Sequence, residues 1–255
     1  MEERLGMTRP SGLNSNGLRA WGMIFVLAGI ISRSILQNEM LGMLHSNGAA
    51  LLDIMQNMEG AMTMAAIALV LQAMETVAVP IFAFLLVEGF QHTTDYKKYV
   101  LRVAGLAVLT EIPYNLAMTQ NILDFSSRNP VFGVLLCLVL LYLFTRFAEQ
   151  KAVCVIVTLA ATGWGWMLGI EHCIPMVLMV CVMWLFRKKK MFMGFSGAAV
   201  AVLCTGGSVF YLAAPMGFLV THFYNGEPGE GNKLVSYLFY PVVLLIAALV
   251  AIYAI

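Results

Sequence analysis

Residues 61–90 read AMTMAAIALVLQAMETVAVPIFAFLLVEGF, an apolar block interrupted by Gln72, Glu75 and Pro80. At about 1.5 Å per residue, a helix of this length outruns the roughly 30 Å of hydrocarbon in a bilayer. The block therefore predicts one long tilted or kinked helix. Alternatively, a short surface-lying piece leads into a span from about Glu75. Either reading places the segment in a membrane.

Composition extends that conclusion outward. Of 255 residues, 60% are hydrophobic and 11% charged, where a soluble domain carries about 25% charged residues. Other apolar runs approach the roughly 20 residues that a crossing helix needs. The predicted fold is all-α: a polytopic transmembrane helix bundle of about eight spans. They are 18–36, 61–90, 99–118, 130–147, 152–168, 172–186, 192–220 and 235–255. With no Pro/Gly-rich linker and no compositional break, 1–255 reads as one integral membrane domain. The start of the chain shows no small-residue cleavage site, so its first span reads as a retained anchor.

Charge placement orients the bundle. With the N-terminus cytoplasmic, eight alternating spans put both termini and the segments 88–99, 146–151 and 187–191 inside. Twelve of the 15 basic residues then lie inside, leaving Arg33, Arg128 and Lys233 outside, as the positive-inside rule favours. A seven- or nine-span count would move later basic clusters to the wrong face. The run Arg187-Lys188-Lys189-Lys190 reads as a topology determinant that touches anionic lipid rather than a nucleic-acid patch. The lipid bilayer is thus the first partner, and no nucleic acid is expected.

Cysteine and methionine carry little chemistry here. The five cysteines lack ligand spacing and read as small packed hydrophobes, and the 18 methionines as packing material; no metal is expected. Phosphate-cradling glycine loops, His-Glu-x-x-His and Gly-x-Ser-x-Gly do not occur. The segment from Thr162 to Gly169 reads as close helix packing with interfacial tryptophans.

Ionisable groups at membrane depth must pair or line a cavity. Arg33 lies near the outer end of the first span, Glu75 near that of the second, and Glu111 in the third with Pro113 and Asn115. Arg33 and Glu111 stand at similar depth, which predicts an ion pair. Glu88 and Arg102 form a second predicted pair on the inner side. Glu88 and His92 are four residues apart, so they share a helix face, and a carboxylate orienting an imidazole makes a workable general base. Glu171 and His172 cap the sixth span, on the same side as a polar mouth formed by His222, Tyr224, Asn225 and Glu227. His45 reads as solvated loop.

Several segments together resemble the TraX family of bacterial membrane proteins. They are Val79 to Thr93 (VPIFAFLLVEGFQHT), Tyr99 to Arg102 (YVLR), Glu111 to Ala117 (EIPYNLA), Tyr224 to Gly229 (YNGEPG) and Phe239 to Pro241 (FYP). The resemblance spans most of the chain. It implies an inner or plasma membrane protein that passes an acetyl group from cytoplasmic acetyl-CoA to an acceptor amine or hydroxyl. Peptide, sugar and lipid acceptors stay open. It implies catalytic work for Glu88, His92 and Glu111. Glu88, His92 and Arg102 would lie near the donor; Glu111, Asn115, Tyr224, Asn225 and Glu227 would line the acceptor side. Arg33 is added as a further substrate-binding residue.

This chain departs from the family pattern at three places. Gly29 to Ser34 replaces an Asp-His pair in the first span, and Val242-Val243 stands where a histidine follows Phe-Tyr-Pro. The region of Glu171-His172 replaces an Asp-Tyr-Gly. Two other readings remain beside acyl transfer. One is small-solute transport or binding, using Arg33, Glu111 and helices broken at Pro80 and Pro113. The other is a non-catalytic membrane assembly partner.

Overall fold

The computed structural model describes residues 12–38, 60–229 and 233–253. The expectations for His45 and for most of the 37–60 stretch lie outside these residues. Apart from two isolated β-bridges, the regular structure among the described residues is helical. Helix α1, Ser15–Ile30, starts where the Asn14 side chain accepts from the Gly17 amide at 2.9 Å, an N-cap in the usual sense. It runs on into a π-helical segment, Ile31–Gln37.

The 61–90 block is one helix, α2, Ala61–Gln91, continuous through Pro80. Its first half leaves Ile67, Leu69 and Val70 exposed, while Glu75 to Val87 is almost wholly buried. An unbroken helix of this length meets a bilayer by tilting or by extending past it. Helix α3, Tyr96–Thr119, likewise runs through Pro113. Then come α4, Val131–Arg146, α5, Lys151–Met167, and α6, Cys173–Leu185. The last three are α7, Lys190–Leu203, α8, Pro215–His222, and α9, Lys233–Tyr253.

Four helices among the described residues are long and apolar enough to cross a membrane: Ser15–Gln37, Ala61–Gln91, Tyr96–Thr119 and Val235–Tyr253. The remaining helices, α7 and α8 counted with the 3-10 turns adjoining them, are shorter apolar pieces of 10–17 residues, so the expectation of about eight spans narrows to four membrane-length helices. Large apolar side chains such as Leu101, Val108, Leu159, Phe195 and Leu249 cover the outside of the helices. In water that belt would be an aggregation surface, and in lipid it is ordinary. The chain is a multi-pass membrane protein.

The expected span over 192–220 is corrected. Helix α7 stops at Leu203, and 3-10 turns at Cys204–Gly206 and Val209–Leu212 fold the chain back into α8. Gly206-Gly207-Ser208 ends one helix, and Pro215, which needs no amide partner at a first turn, opens the next. Gly217 lets α8 approach α2 closely, since a Cβ there would lie 2.4 Å from the Val77 carbonyl oxygen and 2.5 Å from Pro80.

The extra reversal changes which loops meet. Leu13 N donates to Phe223 O at 2.8 Å and Ser15 N to Glu227 O at 2.9 Å. The 223–229 loop therefore sits beside the start of α1, at what we term the entry end, and not on the opposite side as expected. At the distal end Arg128 N donates to Gly169 O at 2.9 Å, and Glu171 N to Arg128 O at 3.1 Å. Helix α9 places Ser236 and Tyr237 near the entry end. Its Leu244 and Ala248 pack with Ile30, Tyr114 and Ala117 toward the distal end. Helix α1 thus starts at the entry end, and α9 runs from there toward the distal end.

Candidate functional site

The α2 spacing sets the first group of polar residues. Glu88 and His92 emerge one turn apart at the entry end, with Glu88 Oε1 3.2 Å from His92 Nε2. A cavity of about 510 Å³ opens beside them, with Arg19, Tyr99, Arg102 and Tyr224 in its walls. His92 is a rim residue, its side chain 73% exposed. The guanidinium of Arg102 lies 5.9 Å from the Tyr99 ring centroid. Arg102 and Glu88 line one cavity, but Glu88 pairs with His92 rather than with Arg102 as expected.

Tyr224, Asn225 and Glu227, expected on the acceptor side, belong to this same end. Tyr224 packs edge-on against Phe84 with centroids 5.3 Å apart. Burial, with the Glu88 carboxylate nearby, pushes its phenol up to about 12. Tyr224 therefore stays a neutral hydrogen-bond donor throughout the physiological range. The Asn225 side chain accepts from the Glu227 amide at 2.9 Å, a turn in which a side chain imitates the backbone.

A second cavity of about 220 Å³ lies deeper. Met23, Phe82, Val134 and Ser236 line both cavities, so the two abut across these side chains. The deeper one reaches Glu75, Glu171, His172 and Tyr240. Arg33, carried on the π-helical segment, holds Glu75 at 2.5 Å and also pairs with Glu171. Tyr114 donates to the other oxygen of Glu171 at 3.0 Å. Gly29 makes room for the pair, because a Cβ there would sit 2.2 Å from the Glu75 carboxyl carbon.

His172 completes this centre. Its Nδ1 lies 2.6 Å from the Tyr211 hydroxyl, and its Nε2 faces Glu75 Oε1 at 3.6 Å. That separation exceeds hydrogen-bond reach, so among the described residues Nε2 is buried without a hydrogen-bond partner, as is Arg33 Nε. The residue has φ of +54°, a left-handed backbone that costs a non-glycine residue about 1–3 kcal/mol. The turn from α5 into α6 holds the imidazole in place at that cost. Among the described residues, no group of three or more His, Cys, Asp or Glu forms a metal-holding cluster.

Glu111 does not join either cavity. Its carboxylate accepts from Arg128 at 2.7 Å and from the Asn129 side chain at 2.6 Å, and pins the turn into α4. The expected Arg33–Glu111 pair is thereby replaced by Arg33 with Glu75 and Glu171, and by Glu111 with Arg128. Similar depth proved insufficient, since the partner is set by which helices are neighbours. Asn115 is buried and donates to the Ile122 carbonyl at 3.4 Å, bracing the turn after α3.

Of the expected site residues, Glu88, His92, Arg102, Tyr224 and the 225–227 turn come together at the entry end. Arg33 stands in the deeper centre, and Glu111 and Asn115 stay apart. Sequence reading gave Glu171 and His172 no site role and passed over Tyr114 and Tyr211. A Glu-His dyad at the break between two apolar runs was the available signal. Among curated proteins and solved structures, nothing matches this chain. A family model described as TraX protein matches residues 61–251, and the chain belongs to the TraX family.

Proposed function

We propose that this protein is a membrane acyltransferase that takes an acetyl group from acetyl-CoA at the entry end and passes it to an amine or hydroxyl acceptor. The observation that carries the reading is the pair of abutting cavities, one open at the rim and the other ending on a buried polar centre. Arg19 and Arg102 at the mouth offer guanidiniums to phosphate groups, and Glu88, His92 and Tyr224 offer further polar contacts. Family membership supports a transferase in general terms. The acceptor stays a peptide amine, a sugar or a lipid headgroup.

We further propose that 1–255 forms one membrane domain, in a bacterial inner or plasma membrane, with the entry end cytoplasmic. The short helices supplement the four long ones, and the reversal at 204–214 adds a ninth pass to the eight expected. That pass follows the last basic cluster, so no cluster changes face. It also brings the start of α9 at Lys233 to the basic side. Arg33 and Arg128, the described basic residues left at the distal end, are both paired with carboxylates. The arrangement suits the positive-inside rule better than eight passes do.

Continuity of α2 and α3 through Pro80 and Pro113 removes the broken helices on which the transport reading relied. The test is to incubate purified protein in lipid vesicles with labelled acetyl-CoA and three acceptors: a peptide amine, an amino sugar and an aminophospholipid. Label should move to at least one of them. Glu88→Gln and His92→Ala should raise the KM for acetyl-CoA. If folded wild-type protein moves label to none of the three, the proposal is wrong.

A further inference from the structure

We propose that His172, not the Glu88–His92 pair at the rim, is the proton-abstracting base, acting in the deeper cavity; this rests on the acyltransferase reading above. Three observations converge on it. The imidazole lines a cavity that abuts the donor mouth across Met23, Phe82, Val134 and Ser236. Its Nδ1 is anchored to Tyr211 at 2.6 Å while Nε2 has no hydrogen-bond partner among the described residues. Its backbone is held at φ +54°, a conformation that does not favour histidine over glycine and is maintained where the ring is used.

The surroundings suit a ring that gains charge during reaction. With Nδ1–H given to the Tyr211 oxygen, Nε2 carries the lone pair, on the edge of the ring beside Glu75. One guanidinium, Arg33, is shared between two carboxylates, Glu75 and Glu171. The centre therefore has a surplus negative charge while His172 is neutral. A proton on Nε2, 3.6 Å from Glu75, balances it, and the stabilisation grows as the charge develops. His92, by contrast, is mostly open to solvent, where water screens its partner and competes for the proton.

The chemistry closes on itself. As the acceptor nitrogen or oxygen bonds to the acyl carbon, its proton passes to Nε2. The carbon–sulfur bond of the thioester then breaks, and the proton moves from Nε2 to the departing thiolate. The products are acylated acceptor and free coenzyme A, with His172 neutral again. No further reactant is required. Glu75 and Arg33 act as positioning residues, setting the field around the ring without touching the reacting atoms.

The experiment compares His172→Gly, His172→Gln and His92→Ala with the wild type in vesicles, using labelled acetyl-CoA and whichever acceptor the wild type uses. Glycine suits the left-handed backbone and leaves room for added imidazole. Loss of the base should lower kcat by about 10²–10⁴-fold in both His172 variants, with acetyl-CoA binding retained. Free imidazole should restore part of the rate to His172→Gly alone. His92→Ala should change KM more than kcat. If the glycine variant loses donor binding, His172→Gln decides. Wild-type kcat in the His172 variants overturns the proposal. So does a lost rate that imidazole does not restore while donor still binds, or a larger kcat loss in His92→Ala. Absence of transfer by the wild type overturns the acyltransferase reading and this inference with it.

Discussion

The two ends of the bundle handle charge in opposite ways. At the distal end the carboxylates Glu75, Glu111 and Glu171 are each tied to an arginine. At the entry end the polar groups stand around an open cavity, and the ion pair among the residues lining it is Glu88–His92 at the rim. A charge that cannot reach water must be neutralised by its neighbours, and the distal residues are arranged for that. Charges that can reach water are free to meet a ligand. The deeper cavity touches both regimes, since it abuts the mouth and ends on the distal network.

This contrast is best broken from the distal side. Arg33→Met strands two carboxylates, and removing one partner of a buried pair costs about 3–5 kcal/mol. We expect a large drop in thermal midpoint in detergent, read by tryptophan fluorescence. Adding Glu75→Gln to Arg33→Met should recover part of the loss, because the neutral amide no longer needs the guanidinium. A single variant as stable as the wild type would mean that water reaches this centre and that the two ends do not differ.

A smaller effect is expected at Glu111. Its bonds to Arg128 and Asn129 hold one turn and do not serve the cavity. Hydrogen bonds to charged groups contribute about 1.5–3 kcal/mol each, so Glu111→Gln should lower stability by an amount in that range. Acyl transfer by the folded fraction should be unchanged. A loss of transfer at full stability would restore Glu111 to the catalytic role that its sequence position suggested.

The same contrast explains what was legible in the sequence. Composition and apolar runs locate the helices outside 192–220 to within a few residues, because lipid enforces length and hydropathy on each helix separately. The reversal at 204–214 was hidden inside 29 residues of apolar sequence, where only Gly206-Gly207-Ser208 and Pro215 marked it. That single omission carried Tyr224, Asn225 and Glu227 to the wrong end. Glu88 and His92 were legible as a pair because i and i+4 is a local relation. Arg33, Glu75 and Glu171 come from three distant segments, and depth in a span gives no bearing on which neighbour a side chain faces. His172 was visible only as a cap, since its contact with Tyr211 reaches into the same reversal that was missed.

The smallest expected effect sharpens the entry end. Asp95 caps α3 by accepting from the Lys98 amide at 3.1 Å, on a turn open to water. That bond, with the Lys98 ammonium beside it, holds the Asp95 carboxyl below its usual value. A carboxyl whose value is lowered by folding contributes stability above its unfolded value and loses it as pH falls through the folded one. Asp95→Ala should therefore lower the thermal midpoint slightly at neutral pH. The gap to the wild type should shrink as the medium is acidified below the ordinary carboxylate range, and raised salt should reduce the Lys98 share of it. Equal gaps at pH 7 and in acid would show that the cap's charge is irrelevant. In that case the entry end would owe its order to packing, as the distal end owes its order to paired charge.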